Sequence, residues 1–513
     1  MDNYIKSNRE GVPIQALICD RQTVNELASD FSLPDYQPEI KRLLRVRAIV
    51  SPPDKYIGAG NAEFSGTVDY SILYCGNDGA LYCAGESGEY KFSVPIEMTS
   101  DFELNEGLTC DMDVTPEMTV GRVAAPRKLS VKCRLRARVR IWGVKTIQDP
   151  ASGQKNDIQR LCGQAESARC FVGMGDALAL GDEILLDAGS ADLRVISAES
   201  QVFVTEALAG SGVVNCRGEV CLKLLCCHEN TAELPTVQLR RIPFTQAVLT
   251  DGVEVNCDCC ADGVTSELHI TVEEGRILCE VTLRLRVRAQ RNETVSFTRD
   301  LYSVSAECET HTAQYDLPRA LKCINGNFSL NQTLPLEEIG IRQGMTPIDI
   351  TLSPSVTSLE CDHGKCYLNG RCRAHVILTD GEELSAQEFD LPFRYETDSS
   401  GAEVSDYDAV VDPISCRTRV DGERISVDAE LAVSLATRTN SYVEMLTDAK
   451  FGEEISRPGA VYTVCYPSRE DTLWSVAKRY HRAVNSISQI NNLANSPAAD
   501  SRESLMGVRY LLV

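Results

Sequence analysis

The chain repeats itself at long range. The stretch GTVDYSILY begins at Gly66, GEVCLKLLC at Gly218 and GRCRAHVIL at Gly370, a spacing of 152 residues and then 152 again. A period of this length constrains the fold more than composition does, because each copy must supply the same core positions. Residues two apart after each glycine form matching columns: Val68, Val220 and Cys372; Tyr70, Leu222 and Ala374; Ile72, Leu224 and Val376. Period-two alternation marks a half-buried strand. The same spacing aligns Leu44, Ile196 and Ile348 in an earlier strand. A later strand, RKLSVKCRLRARVRIW from Arg127, has counterparts from Gly275 and Gly422, with columns Leu129, Ile277, Ile425 and Leu135, Leu283, Leu431 spaced by 148. The change from 152 to 148 places a loop deletion and a compensating insertion between the two strands.

Apolar segments with a proline (Pro95, Pro243, Pro392) and turns such as CGNDGALYCAGESG separate these strands, favouring β-sandwich or barrel-like units. The chain of 513 residues is too long for one core. The reading is mainly β: an N-terminal segment over 1–29, three tandem sandwich-like modules over 30–180, 181–330 and 331–450, a linker over 451–460 and a different unit over 461–513.

In that last unit the period changes to 3.6. Leu473, Val476, Ala477 and Tyr480 share one face of a short helix that Asp471 or Thr472 is placed to cap. A second helix carries Val484, Ile487 and Ile490 and stops near Asn491 and Asn492, and a strand from Val508 closes the unit, giving the order βααβ.

Charge and chemistry narrow the function. A formal charge of -23 argues against non-specific binding to nucleic acid or an anionic membrane. From Pro458 onward six Lys/Arg face four Asp/Glu, so this unit is about +2 and the preceding 457 residues carry -25. The N-terminus has no apolar run of a secretory signal, and the expected setting is cytosolic. There is no G-x-S-x-G elbow, P-loop, metalloprotease histidine pair or G-x-G-x-x-G, so no catalytic, cofactor or metal site is expected. The 22 cysteines read as reduced thiols. Cys372, Cys279 and Cys226 stand in columns otherwise filled by core hydrophobes, a role thiols suit. Cys361, His363 and Cys366 form only a weak metal-ligand pattern. The arginines of the third strand (Arg134, Arg136, Arg138, Arg140; Arg284, Arg286, Arg288) lack the interleaved aromatics of a nucleic-acid platform and are expected to pair with acids on neighbouring strands.

YTV, DTLWSVAKRY, INNL and LMGVRYLLV, in that order and spacing, resemble a LysM domain; Glu470 stands where that family commonly has glycine. The resemblance implies a binding groove formed by Asp471, Thr472, Leu473 and Trp474 on one loop and Asn491, Asn492 and Leu493 on another. The bland reading is that Asp471 is a helix cap, Trp474 a packing residue and Asn492 a left-handed helix stop. Three like β units ending in LysM resemble the SipL-like spore-coat morphogenetic family of clostridia, built from SPOCS modules and a LysM domain. That resemblance implies a non-enzymatic scaffold in the mother-cell cytoplasm, at the forespore surface, with the coat ATPase SpoIVA and other coat proteins as partners. The alternative partner is peptidoglycan, held as N-acetylglucosamine polymer in the LysM groove.

Overall fold

The computed structural model describes residues 11–513 except 59, 97–107, 149–156, 187–192, 229–233, 274, 399–402, 456–462 and 494–498. It is mainly β, built of antiparallel sheets. The first unit contains β1 (Gly11–Ser32), β2 (Ile40–Val50), β3 (Asp54–Ile57), β4 (Asn61–Gly76), β5 (Leu81–Pro95), β6 (Thr109–Ala125) and β7 (Lys128–Gln148). Its first strand pairs with its last, giving one sheet in the order β1-β7-β6, while β2, β4 and β5 form the other. The second unit contains β8 (Ile158–Met174), β9 (Leu178–Leu185), β10 (Leu193–Ala209), β11 (Val213–His228), β12 (Thr236–Leu249), β13 (Asp258–Glu273) and β14 (Arg276–Ser303). Its sheets are β13-β14-β8 and β10-β11-β12. The third unit, β15 (Ala306–Pro335), β16 (Thr346–Asp362), β17 (Lys365–Thr379), β18 (Leu384–Asp398), β19 (Asp406–Asp421) and β20 (Arg424–Glu454), repeats the plan as β15-β20-β19 and β16-β17-β18.

These pairings shift the boundaries read from the sequence. Residues 11–29 belong to β1, and β8 and most of β15 fall in stretches assigned to the preceding module. The first strand of each unit pairs with the last, about 90 to 150 residues away, and self-comparison carries little trace of it. Of the expected linker, 451–454 continue β20, and 456–460 lie outside the described residues.

The repeated columns line the cores. Val68, Val220 and Cys372 are each 0% exposed, and each unit has its own apolar cluster drawn from both of its sheets. The repeated glycines have a steric cause. Gly66, Gly218 and Gly370 lie opposite Tyr90, Phe244 and Phe393, whose rings cross the strand where a side chain would stand. A Cβ on Gly218 would lie 2.1 Å from the Phe203 carbonyl oxygen, and one on Gly370 2.3 Å from the Phe393 ring. Pro243 and Pro392 occupy equivalent places on the outer strands β12 and β18, where a missing N–H is tolerated. Pro95 only ends β5 and is not their counterpart; that place in the first unit is Glu89, opposite Thr67.

The units close into a ring about an approximate threefold axis. Strand β5 lies against β10, β12 against β16 and β18 against β2, so the third unit returns to the first. Leu44 and Ile196, with Leu73, Leu225 and Ile377, meet in one apolar cluster joined by Ile348. Thus one column of the repeat faces the axis rather than a unit's own core, at about 1.5–3 kcal/mol of transfer free energy per buried side chain. A second shared cluster unites Val12, Ile14 and Ile147 with Val295, Phe297, Leu317 and Met445, tying the end of the β1–β7 ribbon to points part-way along the ribbons β8–β14 and β15–β20.

Between the clusters the arginines of the third strand reach across junctions. Arg140 donates to both Asp408 oxygens at 2.8 Å and to Asp406 at 2.5 Å, linking units one and three. Arg288 donates to Asp111 and to Asp262, both at 2.6 Å, linking units two and one. Arg138 pairs with Asp20, and Arg134 and Arg136 face Glu117. Six of the seven arginines singled out from the sequence therefore meet acids, partly on a neighbouring unit, and no acidic partner of Arg284 is seen among the described residues. A second buried set joins Arg45 of unit one, Glu199 and Lys223 of unit two and Asp349 of unit three. Burial pushes the Glu199 carboxyl upward, but Arg45, Arg47 and Lys223 prevail and hold it down at about 2.

Twenty cysteines are free thiols, most of them buried, while Cys361 and Cys366 form a disulfide across the β16–β17 hairpin. The expectation of reduced thiols fails for this pair because the hairpin register sets the two residues directly opposite each other. Among the described residues no cluster of three or more His, Cys, Asp or Glu is arranged to hold a metal ion, and no helix is long and apolar enough to cross a membrane.

Candidate functional site in the C-terminal unit

The C-terminal unit contains β21 (Val464–Cys465), α1 (Leu473–Arg479), α2 (Val484–Ile490) and β22 (Leu511–Leu512), in that order. The two strands pair antiparallel, with Cys465 opposite Leu511. Cys465, Leu473, Trp474, Val476, Ala477, Ile487 and Leu511 form its core. Helices of seven residues do not stand alone, so this packing holds them, with a capping box at α1 only.

Thr472 caps α1: its hydroxyl accepts from the Ser475 N–H at 3.0 Å, and Ser475 Oγ accepts from the Thr472 N–H at 2.9 Å. Asp471 braces the preceding loop, accepting from Arg479 at 2.6 Å and from the Ser468 N–H at 2.8 Å. Those bonds, Arg479 first, hold its carboxyl below the ordinary carboxylate range. Leu473 is 3% exposed and is a core residue.

Trp474 joins the unit to the ring. Its indole N–H donates to Asp300 at 2.9 Å, and its ring meets Tyr302 edge-on with centroids 5.0 Å apart. Lys478 donates to the other Asp300 oxygen at 2.6 Å, Tyr302 donates to the Arg482 carbonyl at 2.7 Å, and Arg299 pairs with Asp500 at 2.8 Å. Burial pushes the Tyr302 hydroxyl well above its usual range and keeps it a donor. The end of the β8–β14 ribbon is thus the seat of the unit.

The second loop is also committed internally. The Asn491 amide donates to the Leu512 carbonyl and accepts from the Leu512 N–H, both at 2.8 Å, pinning α2 to β22. Asn492 has φ 54°, a left-handed helix stop, and Leu493 packs against the core. Of the seven residues singled out from the sequence, Asp471, Thr472, Leu473, Trp474 and Asn491 therefore spend their side chains holding the unit together or seating it. Asn492 is exposed.

What the unit presents outward is the other face of its small sheet. Val464 (50% exposed) and Tyr466 (77%) alternate with buried Cys465, and Tyr510 (58%) precedes buried Leu511. Continuing the register by one residue sets Tyr466 beside Tyr510. Exposed Arg469 and Arg509 flank the pair in sequence, whereas Glu470 is paired with Arg502 at 2.5 Å. Alternation in VYTVCY was the sequence signal for Tyr466; the seat at Asp300 and Tyr302, far away in the chain, had none.

Comparison with known proteins returns no match: no family model, curated protein or solved structure matches the chain.

Proposed function

We propose that the chain is a non-enzymatic scaffold of the SipL-like spore-coat type, three SPOCS modules and a LysM domain, that binds the coat ATPase SpoIVA through its C-terminal unit. It works at the forespore surface, in the mother-cell cytoplasm, alongside other coat proteins. The observation that carries this reading is the division of labour in that unit. The loop residues suited to grip a glycan are engaged inside the chain, while an aromatic face flanked by arginines points outward. Exposed tyrosines beside arginine are favoured anchors in protein interfaces. A slightly basic head on an acidic body is steered toward an acidic protein surface.

The test is co-purification from sporulating cells with the full chain, with residues 458–513 deleted, and with Tyr466→Glu combined with Tyr510→Glu. The full chain should capture the coat ATPase, and both altered chains should lose it. A full chain that captures no ATPase but sediments with purified peptidoglycan refutes the proposal in favour of glycan binding.

A further inference from the structure

The three junctions of the ring are equivalent in position but not in chemistry. Strand register places Arg140 opposite Asp111, Arg288 opposite Cys260 and Ala436 opposite Asp408. At two junctions the arginine of one unit reaches the aspartate of the unit before it: Arg288 meets Asp111, and Arg140 meets Asp408 around the ring. At the third, between units three and two, the residues in the corresponding places are Ala436 and Cys260, and no arginine–aspartate pair can form at that position.

A second thiol fills that gap. On β15 the register sets Cys323 opposite Ala436, the place Asp20 takes beside Arg140 and Val172 beside Arg288. Cys260, Cys323 and Ala436 pack together as a separate buried cluster, with Cys260 0% and Cys323 7% exposed. Their side chains thus touch across the junction of units two and three. The backbones on either side are fixed: the Cys323 N–H donates to Asp258 at 2.5 Å, and the Asn325 side chain both accepts from the Ala261 N–H at 2.9 Å and donates to the Ala261 carbonyl at 2.6 Å. Two thiols from different units are thus held in register by flanking bonds.

We propose that Cys260 and Cys323 are a redox latch, closed by a peroxide into a disulfide that joins units two and three at the place where the other two junctions carry an arginine–aspartate pair. Strand register sets Cys260, not Cys323, opposite the Arg288 cation, which favours its thiolate and makes it the nucleophile. Its sulfur attacks one peroxide oxygen, breaking the O–O bond and yielding a sulfenic acid and hydroxide, which takes up the proton released by the thiol. The Cys323 sulfur then attacks the Cys260 sulfur, the S–O bond breaks, and water leaves with the Cys323 proton. Two thiols and one hydrogen peroxide give one disulfide and two waters. A peroxide is small enough to enter where a bulky disulfide is not.

The experiment uses the full chain, reduced and then treated with hydrogen peroxide, blocked with an alkylating agent under denaturing conditions and digested without reductant for mass spectrometry. The expected product is a Cys260–Cys323 linked peptide pair, alongside the Cys361–Cys366 link. Thermal unfolding should shift upward on oxidation; the shift should vanish in Cys323→Ser and survive in Cys361→Ser. The proposal is overturned if both thiols remain alkylatable, if Cys260 proceeds to a sulfinic acid unlinked, or if it links to Cys216, Cys257 or Cys259 instead.

Discussion

Replacing Arg288 with Ala and Asp111 with Cys would copy into the junction of units one and two the chemistry already present at the junction of units two and three. Both side chains are 5% exposed, so solvent screening offers little relief when one is removed alone. Arg288→Ala leaves Asp111 facing only Arg286, at 3.6 Å, and should cost about 3–4 kcal/mol, the range for an uncompensated buried charge. Asp111→Cys leaves the Arg288 Nε without its partner while Asp262 still holds Nη1 at 2.6 Å, so a smaller loss of about 2–3 kcal/mol is expected. Together the two changes remove both charges and leave Asp262 and Asp113 paired with Arg286 at 2.8 and 3.1 Å. The double variant should then cost about 1–2 kcal/mol, mostly lost packing, against about 6 if the effects simply added. Urea unfolding followed by Trp142 emission, in a Trp474→Phe background, reads the first unit directly, since these are the only two tryptophans. A double variant as unstable as the sum of the singles would show that the pair does not act as a unit and that the reasoning about the three junctions is wrong.

Acid should loosen the ring through Glu199. Its folded pKa, about 2, lies below its ordinary value near 4.5, so its contribution is complete above pH 4.5 and lost as pH falls toward 2; Glu199→Gln should flatten the acid limb of a stability–pH curve over that window. Asp412 should behave oppositely. Burial, then Asp262 and Asp113, push its carboxyl up to about 7, so stability falls as pH rises from about 4 to 7, and Asp412→Asn should stabilise the chain at pH 8 but not at pH 4, read by thermal unfolding. Gly218→Ala should cost about 1–3 kcal/mol, because the new methyl meets the Phe203 backbone carbonyl, whereas Gly66→Ala meets the buried Tyr90 ring and hydroxyl but no backbone atom and should cost less; chemical denaturation distinguishes them. Asp300→Ala removes the acceptor shared by Trp474 and Lys478, and hydrogen exchange should speed in α1 while β10–β12 is unchanged.

Local pattern was readable and closure was not. Alternation placed Val68, Val131 and Leu135 in a core, and 3.6-residue spacing placed Val476 and Ala477 on the buried side of α1, because those contacts follow from one strand or one helix. The column Leu44, Ile196, Ile348 was equally visible, but nothing in its spacing distinguishes a residue facing its own sandwich from one facing a common axis. The arginines announced acidic partners without saying that Asp111 and Asp408 would come from other units. In the C-terminal unit the family pattern pointed to Trp474, a large exposed-looking anchor on a short helix, and its true neighbour, Asp300, lies 174 residues away.

A ring assembled from three separate copies of one module, each with its own tail, would carry three heads and bind any array with the gain that simultaneous attachment brings. Here the three modules share one chain, and the ribbon ending at Asp300 and Tyr302 seats a single head. One chain therefore presents one such unit at that end of the ring, and on the proposed reading it meets its partner at a single point there.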